Sequence, residues 1–382
     1  MGRAAVAVTV QDFFFYGMLC HEPLLTHVLG RPVQTEPAAL AGHAVYWAEG
    51  HPFPVLVAGA QGRACGLLVR GLSVEDAARL DFYGGGFALH TADLAVQAAG
   101  GPVTARVYLA KAGQWQPGAV WSFADWQGQW GDIILATAHD VMHLYGKKPA
   151  QAVQARYAQM LVRGASRVRA GVTAPTALRH RAAPGDVRIA HQRQPYAHFF
   201  AVEEYELSFR RYGGGFSEAV SRAVFISGDA VTVLPYDPVR DRVLLIEQFR
   251  PAPMARGDAQ PWLLEAIAGR IDPGESPEQA ARREAFEEAG LVLGDLLPVA
   301  QYYPSPGAKS EFLYSYVALT DLPDGAAGVF GVEGETEDIR GQLVDFADLM
   351  ALVASGEAAN APLILTALWL QRERARLRAV VA

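Results

Sequence analysis

The segment Gly269-Arg-Ile-Asp-Pro-Gly-Glu275-Ser-Pro-Glu-Gln-Ala-Ala-Arg-Arg283-Glu284-Ala-Phe-Glu287-Glu288-Ala-Gly290-Leu291 decides the fold of the C-terminal half of the chain. A lone glycine is followed by a glutamate, then by an Arg-Glu-x-x-Glu-Glu-x-Gly run and an aliphatic residue. So many specified positions at fixed spacing rarely coincide by chance. The segment predicts a loop that leads into one helix.

Local signals bound this helix. Ser276 can cap its N-terminus, Pro277 suits the first helical position, and Gln279 completes a capping box. Gly290 is a natural C-terminal stop, because glycine readily adopts the left-handed conformation that ends many helices. The predicted helix therefore lies between Ser276 and Gly290.

Three glutamates lie on one side of the helix. Glu284, Glu287 and Glu288 are spaced i, i+3 and i+4, which places them on one arc at about 100° per residue. Carboxylates on adjacent turns repel one another unless a cation lies between them. Hard oxygen ligands suit Mg²⁺ or Mn²⁺. The alternative is a solvated acidic face, but the glycine, glutamate and arginine at fixed positions around these residues favour a metal site.

This segment resembles the Nudix box, the loop–helix signature of hydrolases that split nucleoside diphosphates linked to another moiety. The likeness covers nearly all of the C-terminal half through four further motifs: Leu245-Ile-Glu247-Gln248-Phe-Arg250-Pro, Pro261-Trp-Leu-Leu-Glu265-Ala-Ile-Ala-Gly269, Pro304-Ser305-Pro306-Gly307-x-x-Ser310-Glu311 and Glu335-Thr-Glu337-Asp-Ile-Arg340. Together they resemble ADP-ribose pyrophosphatases, whereas coenzyme A and diadenosine-polyphosphate hydrolases share only the box. For residues 196–382 the resemblance implies an α/β/α sandwich with a mixed sheet.

The resemblance also implies a role for each matching residue. The divalent ions would be held by one carbonyl and four carboxylates, those of Ala268, Glu284, Glu287, Glu288 and Glu337. Catalysis would rest on Glu335 as the candidate base, with Glu288, Glu284 and Arg283. The substrate would contact Arg250, Glu265, Gly307 and Glu311. The structure of the box would depend on Gly269, Glu275 and Gly290.

The implied reaction is the Mg²⁺- or Mn²⁺-dependent hydrolysis of ADP-ribose to AMP and ribose 5-phosphate. Another nucleoside diphosphate sugar, such as GDP-mannose, stays open as the substrate, since the box does not distinguish them. A protein that senses a nucleotide without cleaving it is the alternative from another class, and the intact glutamates argue against it. The resemblance further implies a homodimer, to which the aromatic segment 198–212 is suited.

Composition limits the class of protein. The 382 residues are 51% hydrophobic and 19% charged, with a net charge of −7, so the chain can bury sizeable cores and does not resemble a nucleic-acid binder. Cys20 and Cys65 do not imply a disulfide framework. The N-terminus does not read as a signal sequence, and no apolar run reaches the roughly 18–20 residues that span a bilayer. We expect a cytoplasmic protein without a membrane partner.

Residues 1–150 predict a small α+β, barrel-like domain, because several short strands are interrupted by few helices. The predicted strands include 42–47, 54–57 and 64–69, and one helix begins at Ser73 and runs through Leu80. Four tryptophans lie between residues 115 and 130, where packing against the sheet is favoured over an aromatic recognition surface. His139 and His143 have helical spacing, and we interpret them as helix-surface residues rather than a metal pair.

This half resembles the gamma-glutamylcyclotransferase-like fold, on the motifs Tyr16-Gly17-Met18-Leu19, Phe53-Pro54-Val-Leu-Val, Gly66-Leu67-Leu68 and Leu80-Asp81-Phe-Tyr-Gly84-Gly85. In that fold the Tyr-Gly turn binds an anionic substrate, and a glutamate beside the Leu-Asp segment is the general base. Gly84 occupies the matching position here, and glycine cannot move a proton. We therefore expect a domain without cyclotransferase activity, unless Glu75, Asp76 or Asp81 replaces the base.

Residues 151–195 predict a basic helical connector, in which a helix over 150–162 ends at Gly164. From Arg156 to Arg193 arginines are frequent and Asp186 is the single acid. Without interleaved aromatic residues, this stretch is interpreted as a linker and docking surface rather than a nucleic-acid site. The two-domain combination also resembles Nudix proteins named for tellurite resistance, which we take as a label of lineage.

Overall fold

The computed structural model describes residues 10–85, 87, 89–172, 175–331 and 338–379. The chain divides into two compact units, Met1–Ala174 and Pro175–Ala382. Within the described ranges, no helix has both the length and the apolar character needed to cross a bilayer.

The first unit is built on a closed barrel of five strands: β1 (Gln11–Phe15), β2 (Glu36–Ala48), β3 (Pro54–Leu72), β4 (Leu89–Ala98) and β5 (Gly101–Ala110). Their order is β3-β1-β5-β4-β2, and β2 pairs again with β3, which closes the barrel. A further strand, β6 (Pro117–Val120), pairs with β2. The β1–β5 pair is parallel and the other pairs are antiparallel.

The predicted short strands 42–47, 54–57 and 64–69 are wrong in their limits, because β2 and β3 are two long, continuous strands. Glycines lie inside these long strands at an irregularity of their pairing. Gly42 has a φ of 69° where the β2–β3 register shifts between Ala41 and His43, and Gly59 on β3 has a φ of 86°. A bulge bends a strand without ending its pairing, and this curvature suits a small barrel.

Helices close the barrel on one side: α1 (Glu22–Leu29), α2 (Val74–Gly84), α3 (Phe123–His143), α4 (Ala150–Gln154) and α5 (Tyr157–Ala170). Ser73 caps α2 with a capping box, as predicted. Trp126 is completely buried in the core beneath α3, in agreement with the packing interpretation of the tryptophans. His139 and His143 are exposed on α3, also as predicted.

The predicted helix end at Gly164 is wrong, since α5 continues through this residue to Ala170. Gly164 is buried against α3, and a Cβ atom there would lie 2.3 Å from Thr137 Oγ1 and 2.8 Å from the Ile133 carbonyl oxygen. The glycine therefore permits the close approach of two helices. A sequence pattern does not distinguish this use of glycine from a helix stop.

The second unit contains two sheets. The first is antiparallel and consists of β7 (Val187–Ala197), β8 (Ala201–Phe209) and β9 (Val220–Ile226). The second has eight strands: β10 (Ala230–Asp237), β11 (Arg242–Phe249), β12 (Trp262–Glu265), β13 (Ile267–Arg270), β14 (Leu296–Tyr302), β15 (Leu313–Leu319), β16 (Val329–Phe330) and β17 (Ile339–Asp345). The β10–β15 pair is parallel and the rest are antiparallel, so the predicted mixed sheet is confirmed.

Helix α6 (Pro251–Arg256) follows β11. Helix α7 (Pro277–Ala289) packs on one face of the large sheet, and α8 (Phe346–Ser355) and α9 (Ala361–Ala379) pack on the other. Alternate residues of β10 face opposite sides, as the period of a strand requires. Val233 packs in the core under α7 with Ala281, whereas Leu234 packs in the core under α8 and α9 with Leu363.

Two neighbouring strands of this sheet diverge where the predicted loop–helix segment begins. β10 pairs with β11 only at Tyr236 and Asp237, while its other end, from Ala230 to Val233, pairs with β13. β12 pairs with β11 and is joined to β13 through Ala266. The gap between β10 and β11 is therefore filled by the short strands that carry Glu265, Ala268 and Gly269.

Candidate functional site

Helix α7 has the limits that its sequence predicts. Ser276 Oγ accepts a hydrogen bond from the Gln279 amide at 3.2 Å, and Gln279 Oε1 accepts one from the Ser276 amide at 2.8 Å, which completes the capping box. Gly290 ends the helix in the left-handed conformation, with a φ of 62°. These caps fix which glutamates of α7 face the sheet.

Glu284 lies directly against the backbone of Gly269 on β13. A Cβ atom at position 269 would be 1.9 Å from Glu284 Cδ and 2.0 Å from its Oε1. No side chain larger than hydrogen fits there while the carboxylate keeps its place. The glycine thus makes room for the carboxylate, and this explains the fixed spacing between the two residues.

Glu288 reaches the same strand one residue earlier. Its Oε2 accepts a hydrogen bond from the Ala268 amide at 3.1 Å, and the residue is only 3% exposed. Two carboxylates from successive turns of α7 therefore lie against the Ala268–Gly269 step. Buried charges need paired or coordinating partners, and Glu284 has one in Arg283, whose Nη1 donates to its Oε1 at 2.7 Å.

Arg283 contacts three glutamates of the segment. It forms a two-point ion pair with Glu275, at 2.9 Å from Nε to Oε1 and 3.1 Å from Nη2 to Oε2. Its Nη1 donates to Glu284 at 2.7 Å and to Glu287 at 2.9 Å. Nη2 also donates to the Arg270 carbonyl at 3.0 Å, which ties the helix to the loop after β13.

These contacts change the pKa values of both partners of the main ion pair. Burial alone would lower the pKa of the Arg283 guanidinium, but the carboxylates of Glu275 and Glu284 outweigh it and raise that pKa. Burial would raise the pKa of Glu275, yet the hydrogen bonds from Arg283 and from the Asp272 amide bring it below its ordinary value. Both groups are therefore charged at neutral pH, and the brace is an ion pair.

Glu335 and Glu337 lie in 332–337, outside the described residues. The strands on either side are described, and Phe330 of β16 pairs with Ile339 of β17. The Phe330 ring lies against Gly290, where a Cβ atom would be 3.5 Å from its Cε1, and Ile339 is fully buried in the core under α7. The described residues on either side, Phe330 and Ile339, therefore lie against α7, with Phe330 at its C-terminal end.

Arg250 and Glu265 bind each other across the β11–β12 pair. Arg250 Nε donates to Glu265 Oε1 at 3.1 Å and Nη2 donates to Oε2 at 2.7 Å, a two-point contact. Glu265 is buried, whereas the Arg250 side chain is 37% exposed. Sequence reasoning assigned both to the substrate separately and missed their pairing, because it depends on the register of two strands.

Gly307 and Glu311 belong to one loop that precedes β15. The Lys309 ammonium donates to Glu311 Oε2 at 2.9 Å, and the Ala308 carbonyl accepts a hydrogen bond from the Phe225 amide of β9 at 2.8 Å. Leu313 and Arg270 both pair with Ala230, so this loop emerges at the same end of β10 as the α7 segment. Lys309 was missed from the sequence, although it lies between the specified residues of that motif.

The donor chemistry suits a divalent cation. Glu284 and Glu288 supply hard carboxylate oxygens beside the Ala268–Gly269 step. There is room for Glu284 at this step only because Gly269 lacks a Cβ atom. In the part of the chain that the structure describes, no three acidic, histidine or cysteine side chains form a metal group by themselves. The predicted fifth ligand, Glu337, lies outside that part.

The first unit has a pocket of its own at the predicted Tyr16-Gly17 turn. Its walls include Tyr16, Gly17, Tyr83 and Gly84, so the turn and the position that matches the missing base share one cavity. Gly84 leaves open space, since a Cβ atom there would meet only Leu89 Cδ1, at 3.8 Å.

The carboxylates that could replace the base do not line this pocket. Asp81 accepts a hydrogen bond from Tyr108 at 2.7 Å, and Glu75 accepts one from Tyr145 at 3.0 Å. Asp76 belongs to the capping box of α2 and pairs with Arg31 at 2.6 Å. None of the three faces the cavity as a base would.

Comparison with known proteins agrees with both halves. The NUDIX domain profile matches residues 227–366, and the profile named gamma-glutamyl cyclotransferase, AIG2-like, matches residues 13–128.

The chain is 40% identical to the ADP-ribose pyrophosphatase of Escherichia coli (strain K12) over 193 residues, which are 50% of this chain and 91% of that protein. It is 33% identical to the ADP-ribose pyrophosphatase of Haemophilus influenzae over 50% of this chain and 89% of that protein. It is also 34% identical to the GDP-mannose pyrophosphatase of Pectobacterium atrosepticum over 44% and 85%, respectively.

A solved structure described as an ADP compounds hydrolase is 24% identical, with a TM-score of 0.40 over 52% of this chain and 100% of that one. The family assignment rests on the sequence relatives, and it confirms the predicted enzyme class. The chain belongs to the Nudix hydrolases, with a C-terminal half of the ADP-ribose pyrophosphatase type and an N-terminal half like the gamma-glutamylcyclotransferases.

Proposed function

We propose that this enzyme hydrolyses the pyrophosphate bond of ADP-ribose to AMP and ribose 5-phosphate, with Mg²⁺ or Mn²⁺ as cofactor. The observation that carries the proposal is the approach of Glu284 and Glu288 to the Ala268–Gly269 step. The 40% identity to an ADP-ribose pyrophosphatase over 91% of its length supports this substrate.

Glu284, Glu288 and the Ala268 carbonyl would hold the cation, with Glu287 near enough to share it and Glu337 as a ligand from the acidic loop. A divalent cation there would neutralise charge on the pyrophosphate and lower the pKa of a bound water. Arg283 has a positioning role, because its hydrogen bonds to Glu284 and Glu287, at 2.7 and 2.9 Å, hold these carboxylates before a cation arrives.

Water attack at phosphorus breaks one P–O bond of the pyrophosphate, and the leaving phosphate takes the bonding electrons. Glu335 is our candidate for the base that accepts the proton from that water. The described residues that precede and follow it, Phe330 and Ile339, pack against α7, which supports a place for the base near this helix.

Substrate binding would use the exposed part of Arg250 and the loop with Gly307, Lys309 and Glu311. Arg250 is held by Glu265 in a two-point contact, which fixes the orientation of its guanidinium group, a group that suits a phosphate or ribose. Lys309 adds a positive charge beside Glu311 at 2.9 Å. Both groups of residues lie on elements next to the start of the box on β13. The loop precedes β15, which pairs with β10, the partner of β13, and Glu265 lies on β12, which comes just before β13 in the chain.

Another nucleoside diphosphate sugar is the second candidate substrate. The GDP-mannose pyrophosphatase of Pectobacterium atrosepticum is 34% identical over 85% of its length, so the same half of the chain is also similar to a protein with that name. A protein that only binds a nucleotide would not need the carboxylates of Glu284 and Glu288 beside Gly269 and Ala268.

A substrate panel with Mg²⁺ tests the proposal on the full chain, with ADP-ribose and GDP-mannose as the main compounds. We expect AMP release from ADP-ribose, at least a 100-fold lower kcat/KM in Glu288→Gln, and no activity with EDTA until Mg²⁺ or Mn²⁺ is restored. Glu357→Gln is the matched control, because Glu357 is an exposed glutamate of the same unit.

Cleavage of GDP-mannose in preference to ADP-ribose would overturn the substrate assignment and keep the metal site. Binding of both compounds without cleavage would favour the nucleotide-sensing alternative. Full activity of Glu288→Gln would contradict the metal site itself.

The predicted homodimer remains a proposal. The β7–β9 sheet carries several exposed apolar side chains, among them Val187, Ile189, Tyr196 and Phe199, each more than half exposed. Apolar side chains at this density are typical of an interaction surface, which supports a second copy of the chain as the partner.

A further inference from the structure

The loop that precedes β15 is joined to strand β9 of the three-stranded sheet. The Phe225 amide donates to the Ala308 carbonyl at 2.8 Å, and the Phe225 carbonyl accepts a hydrogen bond from the Ser310 amide at 3.0 Å. Phe225 thus forms a parallel bridge with Lys309. Because side chains of a sheet alternate between its faces, two residues paired in this way direct their side chains to the same face.

The ring of Phe225 and the ammonium group of Lys309 meet on that face. The Lys309 nitrogen lies 5.9 Å from the centre of the ring, within the range in which a cation is attracted to an aromatic face. The same ammonium donates to Glu311 Oε2 at 2.9 Å. An ammonium has three donors, and the Lys309 side chain is 36% exposed, so a phosphate oxygen can reach it as well.

The loop takes its position from these contacts. Residues 303–308 are exposed, and exposed loops are the more mobile parts of a fold. Lysine also carries its charge on a flexible four-carbon stem. Phe225 acts on both, since it bonds to the backbone on either side of Lys309 and offers its ring to the ammonium.

A row of rings connects Phe225 to the start of the box. The ring centres of Phe225 and Phe200 are 4.8 Å apart, and so are those of Phe200 and Phe199. The guanidinium carbon of Arg270, the last residue of β13, lies 4.3 Å from the centre of the Phe199 ring. The rings of the three-stranded sheet therefore extend from a cation of the box segment to Lys309, the cation of the loop.

We infer that Phe225 is a positioning residue for the substrate, because it holds Lys309 where this lysine donates to a phosphate oxygen of a nucleoside diphosphate. The inference rests on the proposed function, since it requires a substrate phosphate at the loop before β15. It gives the β7–β9 sheet a role in substrate binding besides the proposed one in assembly. An interaction made equally in the ground state and the transition state changes KM and leaves kcat unchanged.

The test measures binding separately from catalysis. Titration calorimetry of the full chain in EDTA gives the Kd of ADP-ribose, and AMP release with Mg²⁺ gives KM and kcat. Phe225→Leu removes the ring but keeps an apolar side chain, so we expect Kd and KM to rise about threefold to tenfold, with kcat changed less than about twofold. Phe225→Tyr keeps the ring and should bind like the wild type.

A double-mutant cycle shows whether Phe225 acts through Lys309. Lys309→Met removes the charge and keeps most of the length, so it should weaken ADP-ribose about tenfold or more. In that background Phe225→Leu should change the Kd by less than about twofold, because there is no cation left to position.

A second measurement needs no substrate. The lysines of the chain are Lys111, Lys147, Lys148 and Lys309, of which the first three are exposed and belong to the other unit. In protein with ¹³C-labelled lysine, the ring current of Phe225 should move the Lys309 ε-methylene proton signal upfield of the other three. Phe225→Leu should abolish this shift, Phe225→Tyr should keep it, and Lys309→Met identifies the signal.

Phe209→Leu is the matched control, because Phe209 lies on β8 of the same sheet and is 43% exposed, and its Kd should equal that of the wild type. A wild-type Kd in Phe225→Leu, an equal loss in Phe225→Tyr, or independent factors in the double variant would overturn the inference. If Phe225→Leu does not fold, a wild-type Kd in Lys309→Met or a Lys309 signal without the upfield shift would do so.

The two proposals fail in different ways. Binding of ADP-ribose without cleavage would contradict the proposed hydrolysis, while the Kd values of the Phe225 and Lys309 variants would still decide the inference. Cleavage of ADP-ribose with the same KM in Phe225→Leu, Lys309→Met and the wild type would contradict the inference alone. Absence of ADP-ribose binding would overturn both.

Discussion

Gly269→Ala is the most informative change in the candidate active site. The new Cβ atom would lie 1.9 Å from Glu284 Cδ and 2.0 and 2.4 Å from its two oxygens. Non-bonded heavy atoms need about 3.5–4.0 Å, so the carboxylate has to move by roughly 1.5–2 Å. The backbone itself tolerates alanine, because the φ of Gly269 is not in the left-handed region. The change therefore acts on the position of one carboxylate.

The expected loss follows from this displacement. Moving a catalytic group by about 1 Å can lower the rate about 100-fold, which corresponds to about 2.7 kcal/mol of transition-state stabilisation. The Glu284–Arg283 hydrogen bond of 2.7 Å would break at the same time. We expect kcat/KM for ADP-ribose to fall at least 100-fold, and the Mg²⁺ concentration for half-maximal activity to rise.

AMP release across a Mg²⁺ titration measures both quantities. Gly213→Ala is the control, because Gly213 is exposed, has open space around it and has no left-handed φ. A double-mutant cycle sharpens the test. In a Glu284→Ala background there is no carboxylate to displace, so Gly269→Ala should change kcat/KM less than threefold. If the two substitutions instead lower kcat/KM by independent factors, the steric explanation of Gly269 is refuted.

Two further predictions concern the brace around Arg283. Arg283→Lys keeps the charge but loses the two-point contact with Glu275 at 2.9 and 3.1 Å, so kcat/KM should fall about 10- to 100-fold. Unchanged kinetics would contradict this role. Glu275 has a lowered pKa in the folded state, so its stabilising contribution is present above its ordinary value of 4.5 and is lost as the pH falls through the lower value. Urea unfolding should show Glu275→Gln less stable than the wild type at pH 7, with the difference shrinking below pH 4.5.

Local signals in the sequence predicted the parts of the fold that depend on neighbours along the chain. The start of α7 at Ser276 and its end at Gly290 follow from capping chemistry, and both are observed. The predicted helix end at Gly164 is wrong because this glycine makes room for Thr137 of another helix. The local sequence does not show that contact.

In the candidate site, too, the sequence predicted what depends on neighbours along the chain and missed what depends on contacts between separate elements. The spacing of Glu284, Glu287 and Glu288 placed them on one arc of a helix, but it did not show that Arg250 and Glu265 bind each other. That contact arises from the register in which Ile246 faces Glu265 and Phe249 faces Trp262. Register depends on pairing between separate strands, so the sequence alone left both residues as independent substrate contacts.

Arg283 reduces the repulsion that the sequence predicts among the glutamates of residues 269–291. Glu275, Glu284, Glu287 and Glu288 would repel one another if they were brought together alone, and Arg283 contacts the first three. With all five groups charged, the cluster keeps three net negative charges, which would favour the divalent cation that we propose. Arg283 is itself held by Glu275 and by the Arg270 carbonyl, so its positive charge lowers the repulsion from a fixed position. The segment can therefore fold without a cation, and a cation bound as we propose would meet carboxylates that are already in position.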